Sequence, residues 1–103
     1  MTEAWFGDLS TVGVVTAERR RHRLPDTERL VVKFGNSMGA SIIRGPGSYG
    51  GDSGLFEVAV LDSDGELTYA TPVTDDVLGY LTPDGVRDVL RRISELPRET
   101  VPS

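Results

Sequence analysis

Cysteine is absent from this chain of 103 residues, which excludes disulfides, thiolate chemistry and a cysteine-rich zinc site. Histidine and lysine occur once each, as His22 and Lys33. That scarcity matters for two strings that look like chemistry. Gly51-Asp52-Ser53-Gly54 matches the surroundings of a trypsin-like nucleophile, but such a serine needs a base aimed at it by a third group. The sole histidine lies among arginines, where nothing aims it at Ser53, and a double barrel does not fit in 103 residues. Gly45-Pro46-Gly47-Ser48-Tyr49-Gly50 reads G-x-G-x-x-G, yet a dinucleotide fold needs a helix N-terminus directly after it. Here a strand pattern follows, and Asp52 would repel a phosphate. A kinase-like glycine loop does lie between strands, but Lys33 precedes it and no catalytic loop follows.

No run of about 18 apolar residues is present, so no membrane span is expected. Thr2 to Phe6 lacks the basic and apolar regions of a signal peptide, and a cytoplasmic location is the expectation. Positive charge is missing from Gly45 through Val86, a stretch that holds Asp52, Glu57, Asp62, Asp64, Glu66, Asp75, Asp76 and Asp84. Arg19, Arg20, Arg21 and Arg23 crowd around His22 instead. The net charge of −5 is therefore segregated, which predicts an acidic surface, either a solvated face or a patch that meets a basic partner surface. The arginine run has no aromatic beside it and the remainder is acidic, which argues against nucleic-acid binding.

What is abundant is glycine, and between Gly35 and Gly54 lie seven of the chain's twelve. Such a backbone turns sharply and approaches partners closely, at a cost in ordering entropy. Strand patterns flank it, at Arg29–Phe34 and Ala40–Arg44 before Gly45 and at Leu55–Leu61 after it. Asp62-Ser63-Asp64-Gly65 reads as a hairpin turn rather than a calcium loop, which would need further ligands and a closing glutamate. Glu66–Thr71 returns as the partner strand and Pro72 ends it. Thr74 to Leu78 suggests a short helical turn closed by Gly79.

Thr82 then supplies an N-cap and Pro83 a first helical position. Val86, Val89, Leu90, Ile93 and Leu96 form one apolar stripe, and its burial contributes about 8–15 kcal/mol before ordering entropy. Asp88 and Arg92 are spaced to pair. Earlier, Leu9 to Thr16 is β-branched enough to form a strand.

The fold expectation is an α+β domain: an antiparallel β-sheet of four or five strands with one C-terminal helix packed on one face. Residues 1–28 form an N-terminal arm, flexible or added as a strand, 29–97 the compact domain and 98–103 a loose tail. The sheet's second face is left to be wetted, covered by the arm or used in a homodimer.

Three strings carry a resemblance: Asn36 to Ile43 (NSMGASII), Tyr49 to Val60 (YGGDSGLFEVAV) and Thr71 to Thr82 (TPVTDDVLGYLT). Followed by the terminal helix, they resemble a group of small accessory proteins of tailed bacteriophages, notably those of actinobacteria. The likeness spans roughly Leu30 to Leu96. Where similar proteins tend to read Asn-Gly-Tyr-Gly, this chain has Asn36-Ser37-Met38-Gly39. The resemblance implies a phage accessory setting and no mechanism.

Together these readings predict a non-catalytic protein that binds a host protein through its glycine-rich loop and acidic surface. The alternative is a small-molecule binder, such as a sponge for a nucleotide defence signal, with a tyrosine stacking a base and Arg44 meeting a phosphate. No cofactor and no metal are expected. The candidate partner- or ligand-binding residues are Asn36, Met38, Arg44, Tyr49, Asp52, Asp75 and Asp76. Tyrosine and methionine are enriched where proteins meet, although Met38 and Tyr49 alternatively fold back on the core, and Asp75 and Asp76 alternatively cap a helix start.

Overall fold

The computed structural model describes residues 2, 3, 5–21, 26–46, 48, 50–68 and 77–97. Within them the chain forms the expected α+β fold. Five antiparallel strands follow one another in chain order: β3 (Val14–Arg21), β4 (Glu28–Phe34), β5 (Gly39–Arg44), β6 (Phe56–Leu61) and β7 (Leu78–Leu81). A two-residue ladder, β1 (Thr2–Glu3) with β2 (Gly7–Asp8), precedes them, and α1 (Pro83–Ser94) closes the fold.

Period-two alternation decides which side chains meet α1. Leu30, Ile42 and Val58 lie opposite one another across β4, β5 and β6, as do Val32, Ala40 and Val60. All six are buried, and they face Val86, Val89, Leu90 and Ile93 of the helix in one core. Thr82 caps that helix: its Oγ1 accepts a hydrogen bond from the Gly85 amide at 3.1 Å, with Pro83 in the first turn. Asp88 pairs with Arg91 at 3.6 Å rather than with Arg92.

The first residues reach the core by a different local structure from the expected strand. Leu9–Val12 is a 3₁₀ turn, because the Asp8 carboxylate accepts from the Ser10 amide and Gly13 ends the turn at φ +89°. The strand starts only at Val14 and continues through the arginines to Arg21. Phe6, Leu9 and Val12 are buried beside α1. Arg87 ties this segment to the helix, donating to the Phe6 carbonyl at 2.6 Å and to Thr11 Oγ1 at 2.6 Å. The segment therefore covers the helix side of the sheet and not the opposite face.

Two further differences concern the chain after β6. The hairpin turn forms as expected, with Gly65 at φ +82° and the Asp62 amide donating to the Glu66 carbonyl at 2.7 Å. Its return leg pairs through Leu67, opposite Leu61, and through the Thr68 amide, which donates to the Val60 carbonyl. The rest of that expected strand lies outside the described residues. Leu78 and Gly79, expected to close a helical turn, instead belong to β7, which pairs with Phe56 and Val58 across a register shift. Pairing with the free edge of β6 satisfies backbone groups that a lone helical turn would leave to water.

Candidate functional site

The registers place distinct groups at the two ends of the sheet. At one end lie the start of β4, the end of β5, the start of β6, the end of β7 and the N-terminus of α1. The loop of residues 45–54 closes this end. At the other lie the turn from Gly35 to Met38, the hairpin at Asp62–Gly65 and the C-terminus of α1.

The glycine loop is a self-bonded structure. Amides of Ser48, Gly51, Ser53, Gly54 and Leu55 all donate to carbonyls within the loop, and the Gly45 amide donates to Ser48 Oγ at 3.0 Å. Gly50 and Gly54 hold left-handed backbone at φ +88° and +73°, and close approach adds a second demand at Gly50 and Gly51. A Cβ on Gly51 would collide with the Gly45 carbonyl oxygen, and one on Gly50 would lie 2.9 Å from the Tyr80 Cα. The described residues of the loop are therefore tied to one another and form a mount at this end of the sheet.

Tyr80 stands beside that mount. It is 67% exposed and holds φ +57°, a left-handed backbone that a bulky residue rarely adopts. Such a conformation persists only where surrounding structure over-determines it, and it marks a candidate functional position. The reading of the sequence missed Tyr80. Sequence alone gives no sign of a left-handed tyrosine; in the structure Tyr80 lies beside the β6–β7 register shift and against Gly50.

Arginine and aromatic side chains gather at the same end. Trp5, Phe6 and Phe56 form one aromatic group, with ring centroids 4.9–5.7 Å apart. The Arg19 guanidinium stacks 3.7 Å from the Trp5 ring, and that of Arg44 lies 5.0 Å from Trp5 and 5.1 Å from Phe56. Glu28 joins the pair, 3.0 Å from Arg44 and 3.8 Å from Arg19. A nucleotide reading asks Arg44 to meet a phosphate, but its guanidinium already has a carboxylate partner and aromatic neighbours.

The other expected site residues do not converge here. Asn36 is buried and caps the helix C-terminus: Nδ2 donates to the Ile93 carbonyl at 2.8 Å and the Leu96 carbonyl at 3.1 Å, while Oδ1 accepts from the Met38 amide. Met38 is 5% exposed and belongs to the core. Neither presents a surface to a partner. Asp52 lies in a 3₁₀ turn of the loop, Gly51–Ser53, at the Tyr80 end. Tyr49, Asp75 and Asp76 lie outside the described residues.

The acidic stretch is divided as well. Asp62, Asp64 and Glu66 sit at the hairpin, at the opposite end of the sheet from the loop, whereas exposed Asp84 opens α1 on the loop's side. Asp62 Oδ1 accepts from the Asp64 and Glu66 amides at 2.9 and 3.0 Å, so that carboxylate builds the turn. Among the described residues no group of three or more His, Cys, Asp or Glu is placed to hold a metal ion, and no helix is long and apolar enough to cross a membrane. No protein-family model, curated protein or solved structure matches this chain.

Proposed function

We propose that this chain is a non-catalytic accessory protein, of the tailed-phage kind its sequence resembles, that binds a host protein through the end of the sheet closed by the glycine loop. The supporting observation is Tyr80, exposed in a left-handed backbone and held against Gly50. Tyrosine, tryptophan and arginine dominate binding energy at protein interfaces, and Trp5, Arg19 and Arg44 share this end of the molecule. Hydrogen bonds among the loop's described residues lower the entropy cost of docking, because those residues need less ordering when the partner arrives. Exposed Asp84 gives this end its share of the acidic character that a basic partner surface would meet.

The test is capture of a host protein from lysate, followed by affinity measurement with the purified partner. Tyr80→Ala and Arg44→Ala should each weaken binding by about tenfold or more. Leu67→Ser, on the opposite sheet face, should leave it unchanged. Binding that survives Tyr80→Ala, Trp5→Ala and Arg44→Ala would assign recognition to another surface.

A further inference from the structure

The sheet face turned away from α1 carries a trough of about 450 Å³, within the size range of small-molecule sites. Ile43, Ala59 and Leu61 line it with apolar surface, and Leu67 stands at it 54% exposed. A smaller hollow of about 200 Å³ adjoins it, and Arg29 lines both.

Arg29 is the feature that needs an explanation. It is half-buried, its Nε donates to Ser41 Oγ at 3.2 Å, and it makes no ion pair among the described residues. Directly across the β3–β4 ladder stands Arg20, a second guanidinium. Like charges placed opposite each other destabilise a strand pair, and a partly desolvated cation without a counter-charge adds to that cost. Arg20 has its own carboxylate, Glu18 at 3.2 Å. Arg29 has none. An anion in the trough would supply the missing charge and relieve the opposition.

We propose that this trough binds a small organic anion with an aliphatic body, its head group on Arg29 and its tail over Ala59 towards Leu67. Arg21 also lines the trough and adds positive charge at the head-group end. Ser41 Oγ accepts from Arg29, which leaves its own hydrogen to donate to a ligand oxygen. Glu57 lines the trough too, on β6, and already has an interaction partner. Its charge keeps the anionic head on the β4 side and so fixes the orientation. From β4 across β5 to β6 is two strand spacings, about 9–10 Å, which an aliphatic tail of about six carbons nearly spans. Carboxylates and phosphate monoesters share the required chemistry. The site is separate from the Tyr80 end and stands or falls independently of it.

Amide-resolved NMR titration of the full chain tests this with hexanoate, hexyl phosphate and the neutral control hexanol. Saturable shifts should centre on Ser41, Ile43 and Ala59 for the two anions, and the tighter of these identifies the preferred head group. Hexanol should bind about tenfold more weakly or worse. Arg29→Met should weaken the anions by a similar factor without lowering thermal stability, since it also removes the opposition to Arg20. Ser41→Ala should weaken them less. Three results would overturn the proposal: no saturable shift by about 10 mM ligand, equal binding of hexanol, or anion affinity unchanged in Arg29→Met. A homodimer that buries this face and is split by Leu67→Glu would also overturn it.

Discussion

Replacing Asn36 should test the architecture most severely, although no sequence motif marks that residue as structural. Its amide makes three hydrogen bonds, to the Ile93 and Leu96 carbonyls and from the Met38 amide, and the side chain is buried. Each such bond contributes a net of about 0.5–1.5 kcal/mol, and each buried group left unpaired costs about 1–3 kcal/mol. Water can reach the Leu96 carbonyl more readily than the other two, so Asn36→Ala should cost about 2–4 kcal/mol in total. That is a large share of the 5–15 kcal/mol typical of a domain's stability, and it corresponds to a fall in Tm of roughly 10–25 °C. Urea and thermal unfolding followed by circular dichroism measure it directly. Asn36→Asp sharpens the test because it keeps the shape and the acceptor but removes the donor. At neutral pH it aims a carboxylate at two carbonyl oxygens and should be worse than alanine. Such a carboxylate has its folded-state pKa raised, so the excess penalty vanishes below the ordinary value of about 4 and grows as pH rises above it. A loss under about 0.5 kcal/mol for Asn36→Ala, or equal behaviour of both variants at pH 7, would refute the capping role.

Gly51→Ala should destabilise the protein by about 1–3 kcal/mol, the range for overpacking, because its Cβ meets the Gly45 carbonyl oxygen and backbone must shift. Differential scanning fluorimetry reads the effect, and a neutral result would show that the loop has room. Arg87→Ala removes the donors to Phe6, Asp8 and Thr11. Hydrogen exchange at residues 5–12 should accelerate at least tenfold while β4 to β6 stay protected, and uniform exchange would contradict a local clamp. The Asp8 carboxyl is held below its ordinary value of 3.8 first by the Ser10 hydroxyl and then by the Ser10 amide. A depressed carboxyl pKa contributes stability that is present above the unfolded value and lost as pH falls through the folded one. Melting of the wild type between pH 2 and 5 should therefore drop more steeply than melting of Asp8→Ala, and parallel curves would dismiss the contribution.

The helix and its partner strands were legible because their signals are local. Thr82-Pro83 and the stripe from Val86 to Ile93 specify a capped amphipathic helix wherever it packs, and the alternation in β4 to β6 specifies which face it packs against. The start of the chain was not legible for the opposite reason. Leu9 to Val12 is β-branched enough to read as strand, but the Asp8 carboxylate and the left-handed Gly13 hold it as a 3₁₀ turn, a competition that composition does not reveal. Leu78 and Gly79 read as a helical ending until a free edge of β6 is available to them, and that edge is a tertiary fact. At the candidate site, glycine richness located the loop but not what each glycine does there: Gly50 and Gly54 take positive φ, while the Gly45 carbonyl leaves no room for a side chain on Gly51. Conformational freedom and tight packing both demand glycine, and only the neighbours of Gly50 and Gly51 tell which demand operates.

Arginine shows the same limit in sharper form, because one residue type takes three roles that sequence spacing alone cannot separate. The run from Arg19 to Arg21 reads as a single basic patch as long as it is taken to follow a strand. Once it lies within β3, alternation divides it. Arg19 falls on the helix side, against Trp5, while Arg20 falls on the opposite side, facing Arg29. Arg87 on α1 becomes a clamp because backbone carbonyls of the N-terminal segment converge on it. What separates these roles is the counter-charge each guanidinium finds. Arg44 has Glu28, Arg20 has Glu18 and Arg91 has Asp88. Arg87 has the Phe6 and Asp8 carbonyl oxygens and the Thr11 hydroxyl instead. Among the described residues, Arg29 alone combines partial burial, a like charge directly opposite and a single neutral acceptor, and that combination makes the sheet face turned away from α1 a better place to look for a small ligand than the glycine string.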